Sequence, residues 1–153
     1  MGRRGAAPVD ELAKFAKLVS ERLAGRVTLV SVFGSRIEGK AGPLSDVDVA
    51  VLPASRSLDE RLLLACDLAA LASEAFGVPD NRVDIAFLDE DPPPWLLFEA
   101  LVKGVVVYCA DRSLLASLRL RALSEYLDFE VFKRKLNLVE RYLEAVKGGL
   151  TGG

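Results

Sequence analysis

The stretch Phe33-Gly34-Ser35-Arg36-Ile37-Glu38-Gly39-Lys40-Ala41-Gly42-Pro43-Leu44-Ser45-Asp46-Val47-Asp48 limits the folds open to this chain more than any other. An apolar run, Val27 to Phe33, stops at a Gly-Ser pair. After ten intervening residues an Asp-x-Asp pair opens a second apolar run, Val47 to Leu52. Short apolar runs bounded by turn residues read as strands. Strand residues two apart point to one face, so Asp46 and Asp48 present their carboxylates side by side. Their repulsion is relieved best by a hard divalent cation such as Mg2+. The Gly34-Ser35 turn adds backbone that a ligand can approach closely, a hydroxyl and exposed N–H groups, all of which suit a triphosphate.

The rest of the chain supplies a frame for this pair of strands. Leu12, Phe15, Ala16, Val19 and Leu23 recur at helical spacing, which predicts a helix over 9–24 ended by Gly25. Ser57 and Glu60 form a capping box ahead of a second helix, carrying Leu62, Leu63, Cys66 and Ala69 and ending before Gly77. Arg82 to Leu88 is a third strand with Asp84 inside it, and Val105 to Cys109 is a fourth. Between them, 89–91 reads as a solvated acidic linker, and Pro94 opens a short helix to Lys103 with Trp95 and Phe98 facing the core. The connection between strands one and two is too short for a parallel crossover, so the four-stranded sheet is expected to be mixed. The fold class is α/β (α+β).

From 111 to 147 the chain reads as helix. Leu115, Leu118, Ala122, Tyr126, Phe129 and Phe132 step by three or four, and Leu136, Val139, Leu143 and Val146 carry on the pattern. A second stripe runs beside it from Leu120 to Tyr142. Such a helix spans about 50 Å, against roughly 40 Å for a compact domain of this size. Either it bends back or its far end projects and covers its apolar faces with another chain, a second copy included. The expected organisation is a domain over 1–110, a helical extension over 111–147 and a disordered tail over 148–153.

With 153 residues and a net charge of −2, one domain without a broad affinity for nucleic acid is expected. Cys66 and Cys109 have no metal-ligand neighbours and read as reduced core thiols. Histidine is absent, so carboxylates must carry any base or metal chemistry. Met1 to Pro8 lacks the apolar core of a signal peptide and no run approaches a membrane span, which predicts a cytoplasmic protein.

At Phe33-Gly34-Ser35-Arg36, Gly39 and Asp46-Val47-Asp48, the sequence resembles the DNA polymerase β-type nucleotidyltransferase superfamily. The short length and the Phe-Gly-Ser-Arg-x-x-Gly block resemble its minimal nucleotidyltransferase (MNT) branch, whose members are commonly antitoxins of HEPN toxins. The resemblance spans residues 9–110 and implies the polymerase β-like fold. It implies that Asp46, Asp48 and a third strand acid, Asp84, hold two Mg2+ ions and act in catalysis. Gly34, Ser35, Arg36 and Lys40 would bind nucleotide. Where the family often has a second basic residue, this chain has Glu38. The function implied is transfer of AMP from ATP to a hydroxyl of a HEPN-domain toxin. Two alternatives stand beside it: a small-molecule nucleotidyltransferase of the aminoglycoside-modifying type, and a non-catalytic toxin-binding module.

Overall fold

The structure is a computed structural model that describes residues 7–39, 42 and 45–151. The chain runs α1 (Ala7–Arg22), β1 (Val27–Phe33), α2 (Ser35–Glu38), β2 (Val47–Pro53), α3 (Leu58–Phe76), β3 (Val83–Phe87), α4 (Pro94–Leu97), β4 (Val105–Cys109) and α5 (Arg112–Thr151). A 3-10 turn at Asp80–Arg82 precedes β3, and a π-helical turn at Phe98–Lys103 extends α4. No helix among the described residues is long and apolar enough to cross a membrane.

The sheet order is β3-β2-β1-β4. β1 pairs antiparallel with both β2 and β4, whereas β2 and β3 are parallel. The reason lies in the connections. The 19 residues of α3 provide the crossover that a parallel pair needs, and the loop between β1 and β2 does not. The mixed sheet expected from the sequence is therefore the one observed.

Alternation along the strands divides the apolar residues between two layers. Val30, Val32, Val47, Val49 and Val51 face α1 and α3, where Phe15, Leu68 and Phe76 close the larger core. Phe15 and Phe76 meet edge to face at 5.7 Å, joining those two helices. Leu29 and Ala50 face the other way, toward Leu97, Leu101, Leu115 and Ala122 of the α4–α5 layer. Asp48 is two residues from Ala50, so it belongs to this second face.

Several local expectations are corrected. In α3 the buried stripe is Leu64, Leu68, Leu71 and Ala75, while Leu62, Leu63 and Cys66, expected in the core, are exposed. Ser57 holds the N-cap position, but its side chain makes no capping bond. Asp89 is no solvated linker residue. It is buried against the Arg61 guanidinium, which also reaches Glu90 at 3.0 Å and lies over the Phe87 ring. Trp95 is exposed rather than core-facing, and Phe98 stacks on Tyr126 with ring centroids 4.0 Å apart.

Helix α5 is one unbroken rod. Asp111 caps it, accepting from the Leu114 N–H at 3.0 Å. Leu115 and Ala122 are buried, and Arg119 Nε donates to the Leu101 carbonyl at 2.9 Å. Beyond Tyr126 the helix leaves the domain, and its apolar residues, from Leu127 to Val146, are exposed. Of the two courses open from the sequence, projection is the one taken. The helix continues past Lys147 through Gly148 and Gly149 to Thr151, so 148–151 are not the disordered tail expected. Residues 152 and 153 lie outside the described ones.

The π-helical turn is pressed onto β1 at Gly104. A Cβ there would lie 2.8 Å from the Val32 carbonyl oxygen and 2.5 Å from that of Ala100. Both are backbone atoms and cannot turn aside. Gly104→Ala is expected to cost about 1–3 kcal/mol of stability, read as a lower urea midpoint. An unchanged midpoint would show that this contact is loose.

Candidate active site

The site begins where β1 ends. Gly34 takes φ 88° and ψ −158°, a backbone conformation that glycine alone adopts readily. It also has a steric task. Phe33 pairs in register with Asp48, and a Cβ on Gly34 would overlap the Asp48 carboxylate at Oδ2. Ser35 then opens α2, a single turn in which the Gly34 carbonyl accepts from the N–H groups of Ile37 and Glu38, both at 3.1 Å. Gly39, at φ 74°, closes it by donating to the Ser35 carbonyl. The Gly-Ser turn and the second aspartate are thus in direct contact.

Asp46 stands just before β2 and Asp48 is its second residue. Across the parallel pair, Asp84 is the register partner of Asp48. Asp48 and Asp84 are therefore paired at the starts of two neighbouring strands, with Asp46 just ahead of β2. The Asp48 carboxyl is pushed above the ordinary carboxylate range, by burial first and then by the charges of Asp84 and Asp46. Among the described residues no three acidic or thiol side chains are drawn close enough to form a ready metal cage. Asp46 instead leans toward Arg82, with Nη1 to Oδ1 at 3.5 Å, and both side chains are half exposed.

Arg36 does not face the turn. Its Nε and Nη2 donate to the Ser45 carbonyl at 3.3 and 3.2 Å, its Nη1 lies 3.6 Å from Glu11, and its guanidinium sits 6.0 Å from the Phe76 ring centre. Burial raises the Glu11 carboxyl, with Arg36 pulling the other way. The Ser45 hydroxyl in turn accepts from the Gly42 N–H at 2.9 Å. Arg36 thus clamps the residue next to Asp46 to the start of the loop. Lys40 lies outside the described residues.

Two further residues of the site escaped the sequence reading. Arg82 is one. The other is Lys103 on the π-helical turn, whose ammonium lies 2.7 Å from Glu38 and 3.3 Å from Glu99, and both raise its pKa, Glu38 most. Glu38 is therefore neutralised by a cation from across the fold. The only hint in the sequence was the unexpected sign of charge at 38.

In chemistry, though not in spacing, the donor set suits Mg2+. It is all oxygen, it is carried by two adjacent strands, and its most buried member is held against like charges that a hard cation would relieve. An acid whose pKa is raised in the fold favours folding while protonated. That contribution is complete below the unfolded value and is lost as pH rises through the folded one. Ionised Asp48 therefore costs stability at neutral pH. Without divalent ions, Asp48→Asn is expected to melt above the native chain at neutral pH, the gap closing by about pH 3, below the unfolded aspartate value. Melting curves across that range check this, and equal melting at neutral pH would remove the repulsion argument.

Comparison with known proteins places this geometry. No curated protein matches the sequence significantly. Among solved structures, the chain is similar to one in a toxin–antitoxin complex with AMP-PNP, at TM-score 0.57 and 21% identity, covering 82% of this chain and 94% of that one. It is similar to a chain of the toxin–antitoxin MntA-HepT, at 0.53 and 18%, covering 82% and 92%. It is also similar to a chain in a complex of tri-AMPylated Shewanella oneidensis HEPN toxin with MNT antitoxin, at 0.53 and 19%, covering 85% and 94%. These likenesses are of fold. In sequence, residues 16–113 match the family described as Polymerase beta, Nucleotidyltransferase. That match takes in the turn and all three aspartates, and the chain belongs to the polymerase β nucleotidyltransferase family.

Proposed function

We propose that this nucleotidyltransferase is an MNT antitoxin that moves AMP from ATP to a hydroxyl group of a HEPN-domain toxin. The observation that supports it most is the contact between Gly34 and Asp48, which sets a phosphate-binding turn against a carboxylate. The bond that forms joins the acceptor oxygen to the α-phosphorus. The bond that breaks is the α–β anhydride, and pyrophosphate leaves with the electron pair. Gly34 and Ser35 hold the β- and γ-phosphates so that the leaving group lies in line. Asp84, exposed on β3, takes the hydroxyl proton. Two Mg2+ ions bound by Asp46, Asp48 and Asp84 would supply charge neutralisation and a lowered pKa for that hydroxyl. The toxin partner and its modification are drawn from the similar complexes, one of which holds an AMPylated toxin.

One observation favours the non-catalytic binding module instead: Asp46 is engaged by Arg82 rather than gathered with Asp48. Incubating the chain with labelled ATP, Mg2+ and the candidate toxin separates the two readings. Label on the toxin supports transfer. Inhibition of the toxin without label, at every nucleotide concentration, supports the binding module.

Changing both Asp46 and Asp48 to Asn keeps their size and removes their charge. Transfer is expected to fall by several orders of magnitude with the fold intact; transfer at the native rate would place the site elsewhere. Asp84→Asn tests the proton acceptor separately. Nucleotide binding, read by equilibrium dialysis, should persist while transfer is lost. Equal loss of both would make Asp84 a shared metal ligand.

A further inference from the structure

The projecting half of α5 carries a pattern that nucleotide transfer does not use. Phe129, Phe132, Leu136, Val139, Leu143 and Val146 follow steps of three, four, three, four and three. This is the a/d spacing of a heptad repeat, whose 3.5-residue period keeps one apolar seam turned toward a partner helix. All six side chains are 43–61% exposed. Uncovered, each large side chain forgoes roughly 1.5–3 kcal/mol of burial.

We infer that this seam pairs with the same seam of a second copy, antiparallel, with Phe129 opposite Val146, Phe132 opposite Leu143 and Leu136 opposite Val139. Steric fit selects the antiparallel sense, and charge selects the register within it. Carried back toward the N-terminus, the seam becomes Leu115, Leu118 and Ala122, which pack in the chain's own second core with Leu97 and Leu101. The folded domain therefore sits on the seam side of the helix. A parallel partner would run its first turns through that domain. An antiparallel partner ends instead: its last turn reaches the neighbourhood of Tyr126, where the domain begins.

The register follows from charge. In this register Lys133 of each copy flanks Glu140 of the other, giving two opposite-charge pairs about the two-fold axis. Shifting the helices by one heptad sets Lys133 against Lys133 and Lys135 against Lys135. Within its own helix Lys133 also meets Glu130 at 3.3 Å and the Phe129 ring at 5.3 Å. Those contacts leave its ammonium at the border of the seam.

Charge reversal tests the pairing on the full chain by sedimentation velocity. The native chain is expected to sediment as a dimer at tens of micromolar. Lys133→Glu and Glu140→Lys each create two like-charge pairs and should weaken the dimer about tenfold. The double variant should recover native affinity, and a mixture of the two single variants should form mixed dimers at native strength. Circular dichroism confirms that each variant keeps its helix. A parallel dimer would behave oppositely, because the double variant would set Asp128 against the acid placed at position 133 and Lys135 against the base placed at position 140. Failure of the double variant to recover therefore overturns the antiparallel register. A native chain that stays monomeric overturns self-association altogether and assigns the seam to an unlike partner such as the toxin. Neither result bears on nucleotide transfer, which the Asp46 and Asp48 variants test separately.

Discussion

The close approach of Gly34 to Asp48 is the constraint around which the rest of this molecule is arranged. It exists because β1 is an interior strand, bonded to β2 on one side and β4 on the other. Its end is therefore fixed against the start of β2, and the chain leaving it must bend at once without a side chain in the way. The valines that alternate along β1 and β2 lie in the core on the α1–α3 side of the sheet. They anchor the strands to α1 and α3 so that neither can slip, since a slip of one residue would turn Asp48 to the opposite face.

Holding an ionised acid this way is unfavourable. Asp48 is partly buried and faces two other carboxylates. The chain offsets this locally with cations that come from other elements: Arg82 toward Asp46, Lys103 toward Glu38 and Arg36 toward Glu11. None of these bases is next in sequence to the acid it serves. The sheet and the π-helical turn bring them together, so the electrostatic balance of the site depends on the tertiary fold.

That dependence also explains what the sequence could and could not disclose. The strands, the mixed sheet and the pairing of Asp48 with Asp84 follow from local rules: alternation, loop length and the register of a parallel pair. Arg36 is different. A long side chain beside a Gly-Ser turn has several partners within reach, and the Ser45 carbonyl, Glu11 and the Phe76 ring became available only through folding. In α3 the apolar residues go nearly all the way round, so periodicity could not decide between Leu63 and Leu64. The acid at Asp89 looked solvated because Arg61, its partner, lies a whole helix and strand away in sequence. At α5 the helical period read correctly. Its stop did not, because paired glycines near a free helix end weaken the helix without forbidding it.

The absence of any break in α5 has a mechanical consequence. No proline or bulge interrupts it from Arg112 to Gly148. Whatever the far half holds is therefore carried at a fixed distance and a fixed azimuth from the sheet face that bears Asp48. Each residue contributes about 1.5 Å of reach and about 100° of rotation. Removing one residue midway would swing the seam to a different side of the molecule. Removing seven would leave its direction nearly unchanged and shorten the arm by about 10 Å. Reach and bearing are thus separable in this helix, and a change of length in whole heptads is the one kind that resizes an assembly without re-aiming it.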